Sequence, residues 1–234
     1  QKKLPKPRSK PVKLKWSFTR RTVLKQCLRR YYFKYCIDKE TAASIDNIDI
    51  YRALSTKEQV LGEIIHWIIY SSLLNAQKGN EWDQDQIISF GKKMIDDAIK
   101  ASSKVSSRSA SKARYMIMEI VFSEEESSQI QLESYEQIEK EINHLFSNPS
   151  LIRIYEAGKV NTSLLERNTN FKLNDNITVY GQLDLAFYDG HKIKIIDWKT
   201  GDSSFEDTSL QLSVYGLWAS ESEGIAPENT EISK

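Results

Sequence analysis

The chain has 234 residues, of which 40% are apolar and 28% are charged, values usual for a globular protein with one sizeable domain or two small ones. No apolar run approaches the roughly 20 residues that a membrane-spanning helix needs. The two cysteines, Cys27 and Cys36, are too few for a disulfide scaffold and fit a reducing compartment, so we expect a cytoplasmic protein.

Charge is distributed unevenly along the chain. Residues 1–37 hold 13 of the 33 Lys and Arg residues and no acidic residue, which leaves 20 basic against 32 acidic residues in the remainder. A cationic arm on an acidic body favours a polyanionic partner. A solvated tail that keeps the protein in solution explains the same pattern equally well.

The first part of the chain predicts a leader and two helices. Residues 1–16 carry three prolines among lysines, which is typical of a flexible basic leader. Ser17 is suited to cap a helix over 18–37, and apolar residues at helical spacing predict another over 56–75. We therefore assign 17–75 to the N-terminal helices of the main domain.

The middle of the chain predicts more helices and no recognisable functional motif. Helical patterns run near 84–100, 112–122 and 133–146. We interpret 76–150 as a helical insertion into the main domain.

After about residue 150 the pattern changes to short strands. The segments 164–173, 177–188 and 192–198 are rich in β-branched and aromatic residues and are separated by turn sequences. A last helix is expected from about residue 207 to 220. Residues 151–234 would thus supply the sheet and last helix of an α/β domain, a mixed central sheet flanked by helices.

Two acidic residues and a lysine stand out in these strands. Side chains alternate along a strand, so Asp197 and Lys199 should point the same way at the end of an apolar run. Asp184 is a lone charge in the preceding strand, and a hairpin would bring it beside Asp197 if the strands pair with the right stagger. Each residue has a simpler alternative: a surface ion pair for Asp197 and Lys199, and a turn cap for Asp184.

A bound metal ion would explain such a cluster. Neighbouring carboxylates raise each other's pKa, and a divalent cation relieves that repulsion. Carboxylate oxygens with water suit Mg²⁺ or Mn²⁺, which can activate water and neutralise a phosphoryl transition state. Lys199 would add positive charge beside the attacked phosphate or orient the attacking water. This is the chemistry of phosphodiester hydrolysis.

Five segments in order along the chain strengthen this interpretation. They are Cys27–Tyr35 (CLRRYYFKY), Gly62–His66 (GEIIH), Gly181–Asp184 (GQLD), Ile195–Gly201 (IIDWKTG) and Gln211–Tyr215 (QLSVY). The ordered set resembles the PD-(D/E)xK nuclease superfamily. It is most similar to the RecB-like branch, which includes the nuclease domains of RecB and AddB and the CRISPR-associated RecB-like exonucleases.

The resemblance implies a restriction-endonuclease-like fold and a specific set of site residues. The implied metal ligands are the side chains of His66, Asp184 and Asp197 and the backbone carbonyl of Trp198. Lys199 would be the catalytic lysine, with Gln211 and Tyr215 lining the site from one face of the last helix. Taken alone, His66 fits a core or surface histidine, Gln211 a solvent contact and Tyr215 a core aromatic.

Two further features are interpreted with the resemblance. Several RecB-like members hold an iron–sulfur cluster on four cysteines, but with two cysteines no such cluster can form within this chain, and Cys27 is expected to be a small packed residue. Glu166 could reach the site, although an edge-strand charge is more typical of its position.

The basic segment before the site predicts nucleic-acid contacts. Its candidate DNA-binding residues are Arg21, Lys25, Arg29, Arg30 and Tyr31. The alternative is a core made by Tyr32, Phe33 and Tyr35 with the basic groups facing water.

The sequence thus predicts a metal-dependent DNA nuclease, an exonuclease acting on single strands or ends in repair, recombination or antiviral defence, with a helicase or another nucleic-acid-processing protein as a candidate partner. Two alternatives stay open. One is a non-catalytic DNA-binding or assembly module with the nuclease fold, and the other is an RNA nuclease.

Overall fold

The fold is seen in a computed structural model that describes residues 13–104, 114–160, 163–199 and 205–233. The helices are Phe18–Gln26 (α1), Leu28–Tyr31 (α2), Lys39–Ala43 (α3), Ile48–Ala53 (α4), Lys57–Gln77 (α5), Gln84–Ser103 (α6), Met118–Val121 (α7), Ser127–Ser147 (α8), Pro149–Gly158 (α9) and Phe205–Glu223 (α10). The strands are Leu14–Ser17 (β1), Leu54–Ser55 (β2), Met116–Ile117 (β3), Leu164–Asn174 (β4), Ile177–Asp189 (β5), Lys192–Ile196 (β6) and Thr230–Ser233 (β7). A π-helical turn covers Tyr32–Cys36, and a 3₁₀ turn covers Pro227–Asn229.

Strand β5 is the centre of a mixed five-stranded sheet. Antiparallel β4 lies along one edge of β5. The other edge is shared, because parallel β1 pairs with Ile177–Tyr180 and antiparallel β6 pairs with Leu185–Asp189. Parallel β7 then extends the sheet beyond β6. The mixed central sheet expected from the sequence is confirmed.

Helices cover both faces of this sheet. Successive residues of a strand face opposite ways. Accordingly, Ile195 packs in the cluster that α10 builds with Val214 and Trp218, whereas Ile196 packs with α9 on the opposite side. Helix α5 lies in the largest core cluster of the described residues, together with apolar side chains of α6, α8 and α9. The predicted insertion therefore packs directly on the helix that carries His66.

Local sequence explains where the main helices begin. The Thr56 hydroxyl accepts from the Gln59 backbone N–H while the Gln59 side chain accepts from the Thr56 N–H, a capping box that starts α5. Asp83 and Gln86 form the same reciprocal cap at α6. Ser17 caps α1 as predicted, accepting from Arg20 N–H. No helix among the described residues is both long and apolar enough to cross a membrane.

Several elements differ from the predictions. The helix expected over 18–37 is interrupted, because Cys27 is extended at φ −160° and its Sγ accepts the Arg30 N–H to begin α2. Cys27 is also exposed, so its expected packing in the interior is wrong. The leader expected through residue 16 contains most of β1, and residues 1–12 lie outside the described residues. The helix near 112–122 is reduced to α7 after the short strand β3, and residues 112–113 are likewise not described. Helix α9 and strand β7 were not predicted.

Candidate active site

The site lies at a fork in the sheet. Along the shared edge of β5, residues 181–184 fall between the part paired with β1 and the part paired with β6. The β5–β6 register, with Leu185 opposite Ile196, continues to place Asp184 opposite Asp197 just beyond the end of β6. The stagger on which the sequence interpretation depended is therefore present.

Helix α5 brings His66 to this fork. Its Nδ1 lies 3.2 Å from Asp184 Oδ1, and Asp184 Oδ2 accepts the backbone N–H of Trp198 at 2.7 Å. One possible ligand atom from each of His66, Asp184 and Glu166 lies within 4.8 Å of the other two. Strands β4 and β5 and helix α5 thus supply two carboxylates and an imidazole at one point.

Glu166 reaches this cluster through an unusual backbone conformation. Its φ of +44° lies in the left-handed region, which costs a non-glycine residue roughly 1 kcal/mol or more. The β4–β5 ladder skips it, since Leu165 pairs with Leu185 and Arg167 with Leu183. Its carboxylate accepts a hydrogen bond from the Gln182 side chain. Such strain is more common at functional sites than elsewhere, and Glu166 is not the ordinary edge-strand charge that its sequence position favoured.

Asp197 is the centre of a second group that α10 completes. It is 2% exposed, and its backbone N–H donates to Ser233 O of β7 at 3.0 Å. Its Oδ1 accepts Gln211 Nε2 at 2.9 Å and lies 3.1 Å from the Tyr215 hydroxyl. Its Oδ2 is buried and ion-paired with Lys199 Nζ, and no other donor among the described residues reaches it.

Gln211 and Tyr215 hold this group in place. The Gln211 side chain accepts from Lys199 Nζ at 3.0 Å and donates to the Tyr215 hydroxyl at 2.8 Å. That hydroxyl lies 2.8 Å from the carbonyl oxygen of Gln182, in the part of β5 that falls between β1 and β6. Tyr215 is therefore both a core aromatic, 2% exposed, and a polar contact of the site. At the neighbouring Gly181 an added Cβ would lie 3.0 Å from Thr169 Oγ1, a tight contact, and 3.7 Å from the Tyr215 ring, an ordinary one.

The protonation equilibria of the site reflect burial and crowded negative charge. Burial raises the pKa of Asp197, and the Asp184 charge adds to this against the opposing effect of Lys199. Burial and Asp184 likewise raise the pKa of Glu166. Burial lowers the pKa of His66, but its hydrogen bond with Asp184 and the surrounding carboxylates outweigh that effect, so the pKa of His66 is raised. Each of these three groups therefore binds a proton more readily than the same group does in water when no cation is present.

These residues line a cleft of about 880 Å³. Its walls come from the start of α1, the middle of α5, strands β4 and β5, and α10. Asp184, Asp197 and Lys199 lie along the same cleft as His66 and Glu166. An extended polyanion could thus reach the carboxylates, the imidazole and the ammonium together.

Comparison with known proteins identifies this arrangement. A family model described as the PD-(D/E)XK nuclease superfamily matches residues 15–232. The chain belongs to the PD-(D/E)XK nuclease superfamily. No curated protein and no solved structure matches it significantly.

The residues present fit the divalent metal that PD-(D/E)XK nucleases use. One possible ligand atom from each of His66, Glu166 and Asp184 lies within 4.8 Å of the other two, and the buried Asp197 Oδ2 has Lys199 as its one partner among the described residues. Oxygen-rich donor sets with one imidazole suit Mg²⁺ or Mn²⁺. Trp198 is fixed by its N–H bond to Asp184, while the use of its carbonyl as a ligand stays a prediction.

The predicted DNA-binding residues lie apart from this centre. The cleft is lined by Ser17, Phe18 and Thr19 of the basic segment, and by none of the five residues Arg21, Lys25, Arg29, Arg30 and Tyr31. Arg29 and Arg30 instead border a separate, largely apolar groove. Tyr31 and Tyr35 are in tilted contact, with ring centroids 5.2 Å apart. Tyr32 is 47% exposed and no residue of Tyr32–Cys36 is buried, so the alternative of a core made by Tyr32, Phe33 and Tyr35 is wrong.

Proposed function

We propose that this protein hydrolyses phosphodiester bonds of DNA with Mg²⁺ or Mn²⁺ held by His66, Asp184 and Asp197, and that Glu166 contributes to the same metal site. The observation that supports the proposal is the convergence of an imidazole, three carboxylates and one ammonium group in a single cleft of a PD-(D/E)XK fold. Burying carboxylates side by side costs free energy, which a bound cation would offset.

Each residue has a distinct task in this reaction. When bound, the cation would lower the pKa of a coordinated water and neutralise charge on the attacked phosphate. Lys199, oriented by Gln211 and Asp197, presents its ammonium group to the phosphate or to the attacking water. Tyr215 fixes Asp197 against β5, and Trp198 N–H fixes Asp184. These contacts set the geometry before substrate binds, which is the usual source of catalytic advantage.

We further propose the RecB-like branch, with single strands or ends of DNA as substrate and a helicase as a candidate partner. The support is the order of the motifs, with Gly62–His66 on the helix before the sheet and Gln211–Tyr215 after the lysine. The two free cysteines fit a cytoplasmic location.

A cleavage assay tests the proposal with matched variants. End-labelled single-stranded DNA, duplex DNA and RNA of the same sequence are incubated with Mg²⁺, Mn²⁺ or EDTA. Lys199→Met should lower the rate at least 100-fold, whereas Lys192→Met, at an exposed lysine paired with Glu231, should leave it unchanged. Asp189→Asn, at an exposed carboxylate, is the corresponding control for Asp184→Asn.

Each outcome decides between the alternatives. Metal-dependent DNA cleavage that Lys199→Met abolishes supports the proposal. Faster cleavage of RNA would instead identify an RNA nuclease. Binding of DNA without metal-dependent cleavage by the wild-type protein would identify a non-catalytic module and overturn the proposal.

A further inference from the structure

An arginine–tryptophan stack lies in the cleft beside the candidate metal ligands. Trp67 follows His66 on α5, and the Arg114 guanidinium carbon lies 3.5 Å from the centre of the Trp67 ring. Both side chains line the same cleft as Asp184 and Lys199. At that distance the guanidinium is in van der Waals contact with the indole, as in a stacked cation–π pair.

Two further aromatic residues hold the stack in place. The Trp67 ring contacts Tyr70 at 4.8 Å between centroids, and Arg114 Nε donates to the Tyr115 hydroxyl at 3.0 Å. Trp67 is half-buried, whereas Arg114 is exposed. Trp67 and Tyr115, whose ring centre lies 5.6 Å from the guanidinium carbon, thus orient the guanidinium group, which lines the cleft.

The charge of Arg114 is not neutralised by a direct partner. No carboxylate among residues 13–104, 114–160, 163–199 and 205–233 forms an ion pair with it. Burial raises the pKa of Glu63 and of Glu166, and the Arg114 charge partly offsets this effect. Neither carboxylate forms an ion pair with Arg114. The guanidinium therefore keeps N–H donors for an incoming anion.

We propose that Arg114, oriented by Trp67, binds one nucleotide of a single strand next to the attacked phosphate. The base stacks on the outer face of the guanidinium, and the guanidinium edge donates to a neighbouring phosphate. Base stacking on aromatic rings and arginine planes is the usual way in which proteins hold unpaired nucleotides. Bases inside a duplex are already stacked and paired, so this subsite selects single strands. The inference rests on the proposed nuclease function and adds the side chains that would recognise a single strand.

Equilibrium binding in Ca²⁺ separates this subsite from catalysis. Fluorescence anisotropy of a labelled 12-nucleotide strand and of the matching duplex is measured for the wild type and for four variants: Arg114→Ala, Arg114→Lys, Trp67→Ala and Trp67→Phe. Arg114→Ala should weaken binding of the single strand about 10- to 100-fold and change duplex binding less than threefold. Arg114→Lys keeps the positive charge but loses the planar guanidinium group. The change in log Kd that Arg114→Ala causes for the single strand should be restored by less than half in this variant. Trp67→Phe should recover more of it than Trp67→Ala.

Controls distinguish this proposal from loss of fold and from failure of the nuclease proposal. Arg153→Ala, at an exposed arginine outside the cleft, should bind as the wild type does, and thermal unfolding midpoints identify misfolded variants. Lys199→Met is used only in the cleavage assay, where it reports whether the nuclease proposal holds. Wild-type affinity in Arg114→Lys, or equal losses for single strand and duplex, would overturn the stacking subsite even if the protein cleaves DNA.

Discussion

Removal of one hydroxyl group tests whether the Asp197 network holds the site together. Tyr215→Phe keeps the ring, which α10 buries against the sheet, and deletes the oxygen that accepts from Gln211 and lies against the Gln182 carbonyl and Asp197. The change removes the acceptor of one Gln211 N–H and a donor to the Gln182 carbonyl, whereas the Gln211–Asp197 hydrogen bond can persist. No other contact of the ring needs to change.

The expected magnitude follows from these bonds. Loss of two buried hydrogen bonds, one of them beside a carboxylate, costs about 2–4 kcal/mol of unfolding free energy. For a chain of this size that corresponds to a fall in Tm of about 5–15 °C. Since Asp197 also loses a restraint, the rate of DNA cleavage should fall about 10- to 100-fold. Differential scanning calorimetry and the cleavage assay measure the two effects.

Tyr51→Phe is the control, because Tyr51 is 56% exposed. It should change the Tm by less than about 2 °C. If Tyr215→Phe unfolds at the same temperature as Tyr51→Phe and cleaves DNA at the wild-type rate, then the hydroxyl does not organise the site and the network interpretation is wrong.

Two further predictions concern the metal site. Glu166→Gln should lower the affinity for Mn²⁺, measured by titration calorimetry, about 10- to 100-fold. Glu228→Gln, at an exposed residue, should leave the affinity unchanged. If the two variants bind Mn²⁺ equally well, Glu166 is not a metal ligand. The raised pKa of His66 means that its contribution to metal-free stability is full below about pH 6.5 and is lost as pH rises through the folded-state pKa. The Tm of the metal-free protein should therefore fall as pH rises above about 6.5, and the increase in Tm on adding Mn²⁺ should become larger. His66→Gln should weaken both trends, whereas His191→Gln, at an exposed histidine, should change neither of them. A Mn²⁺ effect on Tm that does not depend on pH would contradict the assignment of His66 as a ligand.

Local patterns were sufficient for the parts of the site that lie on one hairpin. Alternation along β6 predicted that Asp197 and Lys199 share a side, and their ion pair shows that they do. The short turn at Asp189–His191 limited the possible registers, and the observed one sets Asp184 opposite Asp197. The i, i+4 spacing of Gln211 and Tyr215 likewise placed both on one face of α10, where they contact each other.

Features that depend on distant pairing were not predictable in the same way. Glu166 enters the site because β4 is interrupted opposite Asp184 and its backbone turns to φ +44°, which nothing in its immediate sequence requires. Strand β7 is four residues long and exists by pairing with β6, yet its Ser233 carbonyl fixes Asp197. The break at Cys27 was missed because helix-forming residues continue on both sides of it.

Diffraction from crystals soaked in Mn²⁺, at a wavelength where manganese scatters anomalously, measures most directly whether His66, Asp184 and Asp197 share an ion. An anomalous peak about 2.0–2.3 Å from ligand atoms of all three residues is the expected result. A peak bound elsewhere, or none at this fork of the sheet at saturating Mn²⁺, would contradict the central claim that the site is a metal centre.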